Sequence, residues 1–386
     1  MNREIYLDNS ATTRIAPQVA ELMMKIMTEA YGNPSSLHHK GIEAERCLRE
    51  AGEKLAAILK ADTGEIFYTS GGTESDNWAI LSGARANRRK GNRVIVSAIE
   101  HPAVSAPAGI LAAEGYEVIT LPVDEKGIVR LDALKEALND ETVLVSVMLV
   151  NNEVGSVQPV EQIGKLIKSA APEALFHVDG VQGFGKMQIH PKKLGIDMLS
   201  VSGHKIHGPK GSGMLYVSGN AKLTPYIHGG GQQKNMRSGT ENVPGIAGLA
   251  AAAELAYDHL EEDRDRLYDL KGYFENELLK LPDVMINGPV GKDGAPHIVN
   301  ASFLGVRSEV LLHALEDKGI YVSAGSACAS HKRTESPTLK AMGLSKAASE
   351  SALRFSFSAY TTGEELSAVL EAVSSLLPVL RRFTRR

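Results

Sequence analysis

The sequence predicts an α/β protein, with a mostly parallel sheet flanked by helices and a smaller α+β domain toward the C-terminus. Three observations carry this expectation. Short apolar runs recur between residues 40 and 217: Ile66-Phe67-Tyr68, Val94-Ile95-Val96, Val118-Ile119, Val143 to Met148, Leu175 to Val178, and Met198 to Val201. Each is nearly continuous rather than alternating, as in strands buried on both faces of a parallel sheet. Helix-like segments separate them; Ala44, Leu48, Ala51, Leu55 and Ile58 recur at steps of three and four and place one apolar stripe on a helix. Such alternation of strand and helix folds through right-handed crossovers into layers.

The third observation is a change of character after Gly239. Val243 to Leu279 reads as one or two long helices rich in Ala, Leu and Glu. Mixed elements follow: Ile298 to Phe303, Glu309 to Lys318, Tyr321-Val322 and Leu353 to Phe357. A chain of 386 residues suits a large domain plus a smaller one. The expected division gives residues 15–259 to the large domain, and residues 1–14 with 260–386 to the small one.

Composition narrows the function classes. The apolar share of 43% and charged share of 23% are those of a soluble globular protein. A net charge of −4 provides no global attraction to nucleic acid. The basic cluster Arg381, Arg382, Arg385 and Arg386 reads as a solvated tail. The N-terminus carries Arg3 and Glu4 where a signal peptide needs an apolar run. No stretch reaches the ~18–20 apolar residues of a membrane span. Two cysteines, Cys47 and Cys328, are too few for a secreted disulfide framework, so a reducing, cytoplasmic home is expected. No metal site is assigned.

The chemistry concentrates in turns that follow the apolar runs. In Thr69-Ser70-Gly71-Gly72-Thr73-Glu74 paired glycines lead into a helix opened by Thr73. Free N–H groups at a helix start make a phosphate seat, although a plain glycine turn with Thr73 as N-cap fits equally well. Asp179 ends the run Leu175 to Val178, where open α/β sheets place their ligands, and a carboxylate there can pair with a protonated ring nitrogen. Gln182, three residues on, can bond the same ligand. In Ser202-Gly203-His204-Lys205 the next run ends in a dense polar turn, 26 residues (205 − 179) after the aspartate. Lys205 there can form a Schiff base, for which its pKa must fall below the ordinary ~10.4. Ser202 and His204 can donate to a phosphate. His101 and Asn152 close two further runs and offer an imidazole and an amide.

Together these residues resemble the class V aminotransferase branch of fold-type I pyridoxal-phosphate enzymes, and within it the cysteine desulfurases. The resemblance runs from Tyr6-Leu7-Asp8-Asn9-Ser10-Ala11-Thr12-Thr13, through Gly32-Asn33-Pro34-Ser35-Ser36, to Arg354-Phe355-Ser356. It implies that Lys205 holds the cofactor aldehyde and Asp179 the pyridine nitrogen. It further implies that His101 stacks on the ring, that Asn152 and Gln182 meet its hydroxyl side, and that Gly72, Thr73, Ser202 and His204 hold the phosphate. Thr240, in Arg237-Ser238-Gly239-Thr240, is implied to complete the neighbouring site of a homodimer. Arg354, with Asn33, is implied to bind the substrate carboxylate. The strand alternation of Leu353, Phe355 and Phe357 with Arg354 also fits a solvated arginine on a polar face.

Sulfur chemistry is read from Ser323-Ala324-Gly325-Ser326-Ala327-Cys328, a small-residue stretch with one thiol. A free thiol is only a few per cent ionised at pH 7, so neighbouring cations assist it. By resemblance, Cys328 takes the sulfur of L-cysteine as a persulfide and alanine is released, with His101 as a proton carrier. The sulfur acceptor is then an iron–sulfur scaffold or a transfer-RNA thiolation enzyme, with no direct nucleic-acid or membrane contact. Cys47, beside the apolar stripe of its helix, reads as packing. Selenocysteine cleavage, amino transfer and a non-catalytic assembly scaffold remain alternatives at this point. The departures Ser358-Ala359 and His331-Lys332-Arg333 bear on packing behind Arg354 and on the choice of acceptor.

Overall fold

The computed structural model describes residues 4–325 and 336–383, so Cys328 lies outside the described residues, as do His331, Lys332, Arg333, Arg385 and Arg386. The strands, in chain order, are β1 (Ile5–Tyr6), β2 (Ile66–Thr69), β3 (Arg93–Ser97), β4 (Glu117–Leu121), β5 (Thr142–Ser146) and β6 (Leu175–Asp179). They continue as β7 (Met198–Ser202), β8 (Gly213–Val217), β9 (Val284–Asn287), β10 (Ile298–Phe303), β11 (Ile320–Tyr321) and β12 (Ala352–Ser356). A seven-stranded sheet has the order β2-β8-β7-β6-β5-β3-β4. From β7 to β4 every pairing is parallel, whereas β8 is antiparallel to both β7 and β2.

Strand β8 is absent from the runs read in the sequence, and its direction follows from its connection. Parallel neighbours need a crossover of about a dozen residues or more, usually helical. The stretch 203–212 between β7 and β8 holds only a short 3-10 turn, Gly203–Lys205, so the chain can return only antiparallel. The lysine turn is therefore the link of a wide hairpin.

Burial on both faces explains why the central runs lack alternation. Every residue of β5, β6, β7 and β8 is buried. Leu144, Leu175 and Met198 enter the hydrophobic cluster on one side of the sheet, while Val145, Phe176 and Leu199 enter the cluster on the other. The helix His39–Leu59 buries Ala44, Ala51 and Leu55, the predicted stripe, and packs on the helix Val243–Asp258. Cys47 is a free thiol, half-buried against Ile26, Ala44 and Val243. The predicted long helical stretch is two helices, Val243–Asp258 and Leu260–Leu278, parted at His259.

A second core gathers around the antiparallel sheet β12-β10-β9 and the parallel pair β1-β11. Leu7, Phe274, Phe303, Phe355 and Phe357 meet in it, with Phe274 and Phe355 ring centroids 5.1 Å apart, edge to face. Strand β12 is buried at all five positions, so both its apolar and its polar side chains face protein. The turn at Ser358–Thr361 is held by Arg266, which donates to the carbonyls of Ala359 and Thr361. No helix among the described residues is long and apolar enough to cross a membrane.

Candidate active site

Because β2 and β7 are both antiparallel to β8, β2 points the same way as the parallel strands. The carboxyl ends of β2, β3, β5, β6 and β7 therefore share one edge, where an open sheet binds ligands. A cavity of about 710 Å³ opens there. Its lining includes Gly72, Thr73, His101, Asn152, Asp179, Gln182, Ser202, His204, Lys205 and Arg354. Asn33 and Thr240 are not in that lining and are exposed. The Asn33 carboxamide oxygen accepts the Ser35 amide at 3.0 Å. The stretch before Thr240 is tied back to the glycine turn, since Arg237 pairs with Glu74 at 2.8 Å.

At the lysine end, the helical run 72–86 starts directly against the sheet. Gly71 has φ +148°, and a Cβ on Gly72 would meet Val181 at 2.6 Å, so only glycine permits this approach. Lys205 Nζ donates to the carbonyls of Ser10 and Ala11 at 2.6 and 2.8 Å. Its own backbone carbonyl accepts from Lys186 Nζ at 3.1 Å. Burial pushes the Lys186 amine down to about 8. The N-terminal segment straps the turn further: Thr13 bonds the His204 carbonyl and Thr12 the His204 ring at 3.2 Å. Burial lowers His204 to about 4, with the charges of Lys205 and Lys210 adding to the effect, so its ring is neutral near pH 7.

Asp179 is buried and accepts the Val181 amide at 2.9 Å. Burial raises its pKa, while that hydrogen bond and the charges of His101 and Lys205 oppose the rise. His101 caps the helix Pro102–Ala113, its Nδ1 accepting from the Ala103 amide at 3.1 Å, so the neutral ring carries its proton on Nε2. Burial lowers its pKa and Lys205 adds to this, while Asp179 opposes. Gln182 donates to the Ser10 carbonyl at 2.9 Å.

Sequence reasoning passed over the residues that hold these groups. Glu100 is half-buried, accepts from Ser97 and from the Met148 amide at 2.8 Å, and is pushed up to about 8 by desolvation. Asp76 is buried, and desolvation followed by the Asp179 charge raises it well above its ordinary value. Asn151, next to the predicted Asn152, bonds Ile99, Glu153 and Val154 and so pins the His101 turn to the loop after β5. An acid or amide beside a predicted site residue was the available signal, but exposure could not be read from it.

Arg354 also lines the cavity and is 1% exposed. Its Nη1 donates to the Asn152 carbonyl at 2.8 Å and its Nη2 to Asp8 at 2.7 Å. Its polar side of β12 is covered by residues 7–10, which are laced to Ser356 through Leu7, Asn9 and Ser10. The alternating pattern thus marks a face buried against the N-terminal segment and not a solvated one.

The expected cofactor, pyridoxal phosphate, fits this donor set. Hydroxyls of Thr73 and Ser202, the His204 ring and the amides opening the run 72–86 suit a phosphate; Asp179 and Lys205 suit a ring nitrogen and an aldehyde. Comparison with known proteins agrees. Residues 5–369 match the model of the family described as aminotransferase class-V. The chain is 42% identical to a cysteine desulfurase IscS of Clostridium botulinum, over all of this chain and 97% of that one. It is 44% identical to a cysteine desulfurase IscS of Methanosarcina thermophila, over 99% of this chain and 94% of that one. A solved NifS-like protein superposes with TM-score 0.93 at 38% identity, over 98% of this chain and all of the other. A NifS-like protein from Rickettsia africae gives TM-score 0.87 at 33% identity, over 97% of this chain and all of the other.

Proposed function

The chain belongs to the class-V aminotransferases and, within them, to the cysteine desulfurases, and from that premise we propose that it converts L-cysteine to L-alanine and passes the sulfur on from Cys328. The observation that carries the reading is the convergence of Lys205, Asp179, His101 and Arg354 on one cavity. Pyridoxal phosphate, when bound, supplies an electron sink for bonds at the amino acid's α-carbon. Lys205 and Asp179 would hold its aldehyde and ring nitrogen, His101 its ring face, Asn152 and Gln182 its hydroxyl side, and Gly72, Thr73, Ser202 and His204 its phosphate.

The protein's own groups do the rest. Arg354 grips the substrate carboxylate, since a planar guanidinium matches it with parallel hydrogen bonds. His101 is held neutral by burial, with Nδ1 committed to the Ala103 amide, so Nε2 is the atom that exchanges a proton. The Cys328 thiolate takes the sulfur: the C–S bond of cysteine breaks, an S–S bond forms, and Cβ gains a proton. Cysteine plus thiol thus gives alanine plus persulfide, with atoms and electrons balanced.

The protein would act as a cytoplasmic homodimer in which Thr240 completes the partner's phosphate site. It would deliver sulfur to an iron–sulfur scaffold or a transfer-RNA thiolation enzyme. The division into residues 15–259 and residues 1–14 with 260–386 is part of the same proposal. The test is sulfide and alanine release from L-cysteine under a reductant, comparing wild type with Cys328→Ala, each checked for bound cofactor by absorbance. Release by wild type alone, with cofactor in both, is the expected result. An equally active variant would remove the thiol from the reaction.

A further inference from the structure

Arg354 poses a problem that its role in holding a carboxylate does not solve. A guanidinium buried to 1% exposure is costly without a compensating anion. Asp8 provides one, with Oδ1 2.7 Å from Nη2. The pairing is single-pronged. Nη1 is bonded to the Asn152 carbonyl, and Nε is buried with no hydrogen-bond partner among the described residues. Of its five N–H donors, then, those on Nη1 and Nη2 reach protein acceptors, while Nε–H has none among the described residues. Glu153 also faces Arg354, but burial pushes its carboxyl up toward the protonated form, and it is engaged by Ser336 at 2.6 Å.

We propose that Asp8 is a built-in counter-anion that tempers Arg354, weakening its hold on an amino-acid carboxylate so that alanine is released. This rests on the reading that Arg354 receives that carboxylate. Substrate and product carry the same carboxylate and amino groups, so a bare buried cation would grip both. Such uniform binding does not speed the chemistry and slows product departure. With Asp8 paired, the incoming carboxylate meets a pair of zero net charge and is held by hydrogen-bond geometry more than by Coulomb attraction. The backbone of residues 7–10 is fixed on Ser356 independently of the Asp8 side chain. Asp8→Asn therefore keeps an acceptor for Nη2 and removes the charge alone.

The experiment is calorimetric binding of 3-mercaptopropionate and of its neutral amide to cofactor-loaded wild type, Asp8→Asn, Arg354→Ala and the double variant. Asp8→Asn is expected to bind the carboxylate roughly fivefold more tightly, with the amide unchanged and the gain shrinking in high salt. The double variant is expected to bind no more tightly than Arg354→Ala. A gain of affinity confined to the charged ligand is not an effect of structural damage. Equal or weaker binding by Asp8→Asn, with Arg354→Ala clearly weakened, would overturn the counter-anion and leave Asp8 as a positioning residue. If Arg354→Ala binds the carboxylate as wild type does, the reading of Arg354 itself fails and the proposal falls with it.

Discussion

Two cations line one cavity, and they are built in different ways. Lys205 comes from the turn that ends β7, and its neighbours Ser202 and His204 line the cavity beside it. Arg354 comes from the second sheet and meets Asp8, 346 positions away, and Asn152, 202 positions away. The lysine end is a local motif steadied from outside by the N-terminal strap and by Lys186. The arginine end exists only when β12, the loop after β5 and residues 7–10 are docked. Disturbance at the first should abolish chemistry, whereas disturbance at the second should first weaken binding.

The largest effect is expected at the lysine. Lys205→Ala should lose the borohydride-trappable link to pyridoxal phosphate, read by mass spectrometry, and lose cysteine turnover by roughly a thousandfold. A link persisting through another lysine would break the assignment of this end. At the arginine end, Arg354→Ala should raise KM for L-cysteine by roughly fiftyfold, in line with the loss of a charge-assisted hydrogen-bond pair. Its kcat should move much less; a collapse of kcat at unchanged KM would erase the contrast between the ends.

The smallest effect sharpens the picture between them. Glu100 has its folded-state pKa raised to about 8 by burial, against an ordinary value of 4.5. The folded protein therefore holds a proton that the unfolded chain gives up, and this contribution is full below the ordinary value and lost as pH rises to about 8. Glu100→Gln keeps the hydrogen bonds without the charge. In thermal melts it should flatten the decline between those pH values, leaving the variant more stable by roughly 5 °C near pH 8. Parallel profiles for wild type and variant would show that Glu100 is ionised in the fold.

The legibility of the site follows the same division. Gly72, Thr73, Asp179 and Lys205 could be read because each sits where an apolar run ends, and runs and their ends are properties of neighbouring residues. Arg354 could not be placed from its strand. The alternation of Leu353, Phe355 and Phe357 distinguishes two faces but does not say that the second is covered. β8 escaped because Met214 to Val217 lies past the polar lysine turn and the parallel pattern gave no reason to expect a hairpin there. Glu100, Asp76 and Asn151 look like ordinary loop and helix polar residues; their roles come from the groups the fold packs around them.

By itself the sequence determined the layered sheet, the turns at its carboxyl edge and the residue types gathered there, because hydrophobic period and glycine turns are short-range properties of the chain. The tertiary structure alone decided which groups hold protons and which charges are paired. Burial of Glu100, His204 and Lys186 and the pairing of Asp8 with Arg354 depend on segments brought together across the fold. Desolvation and Coulomb attraction act on distance in space, and distance along the chain does not encode it.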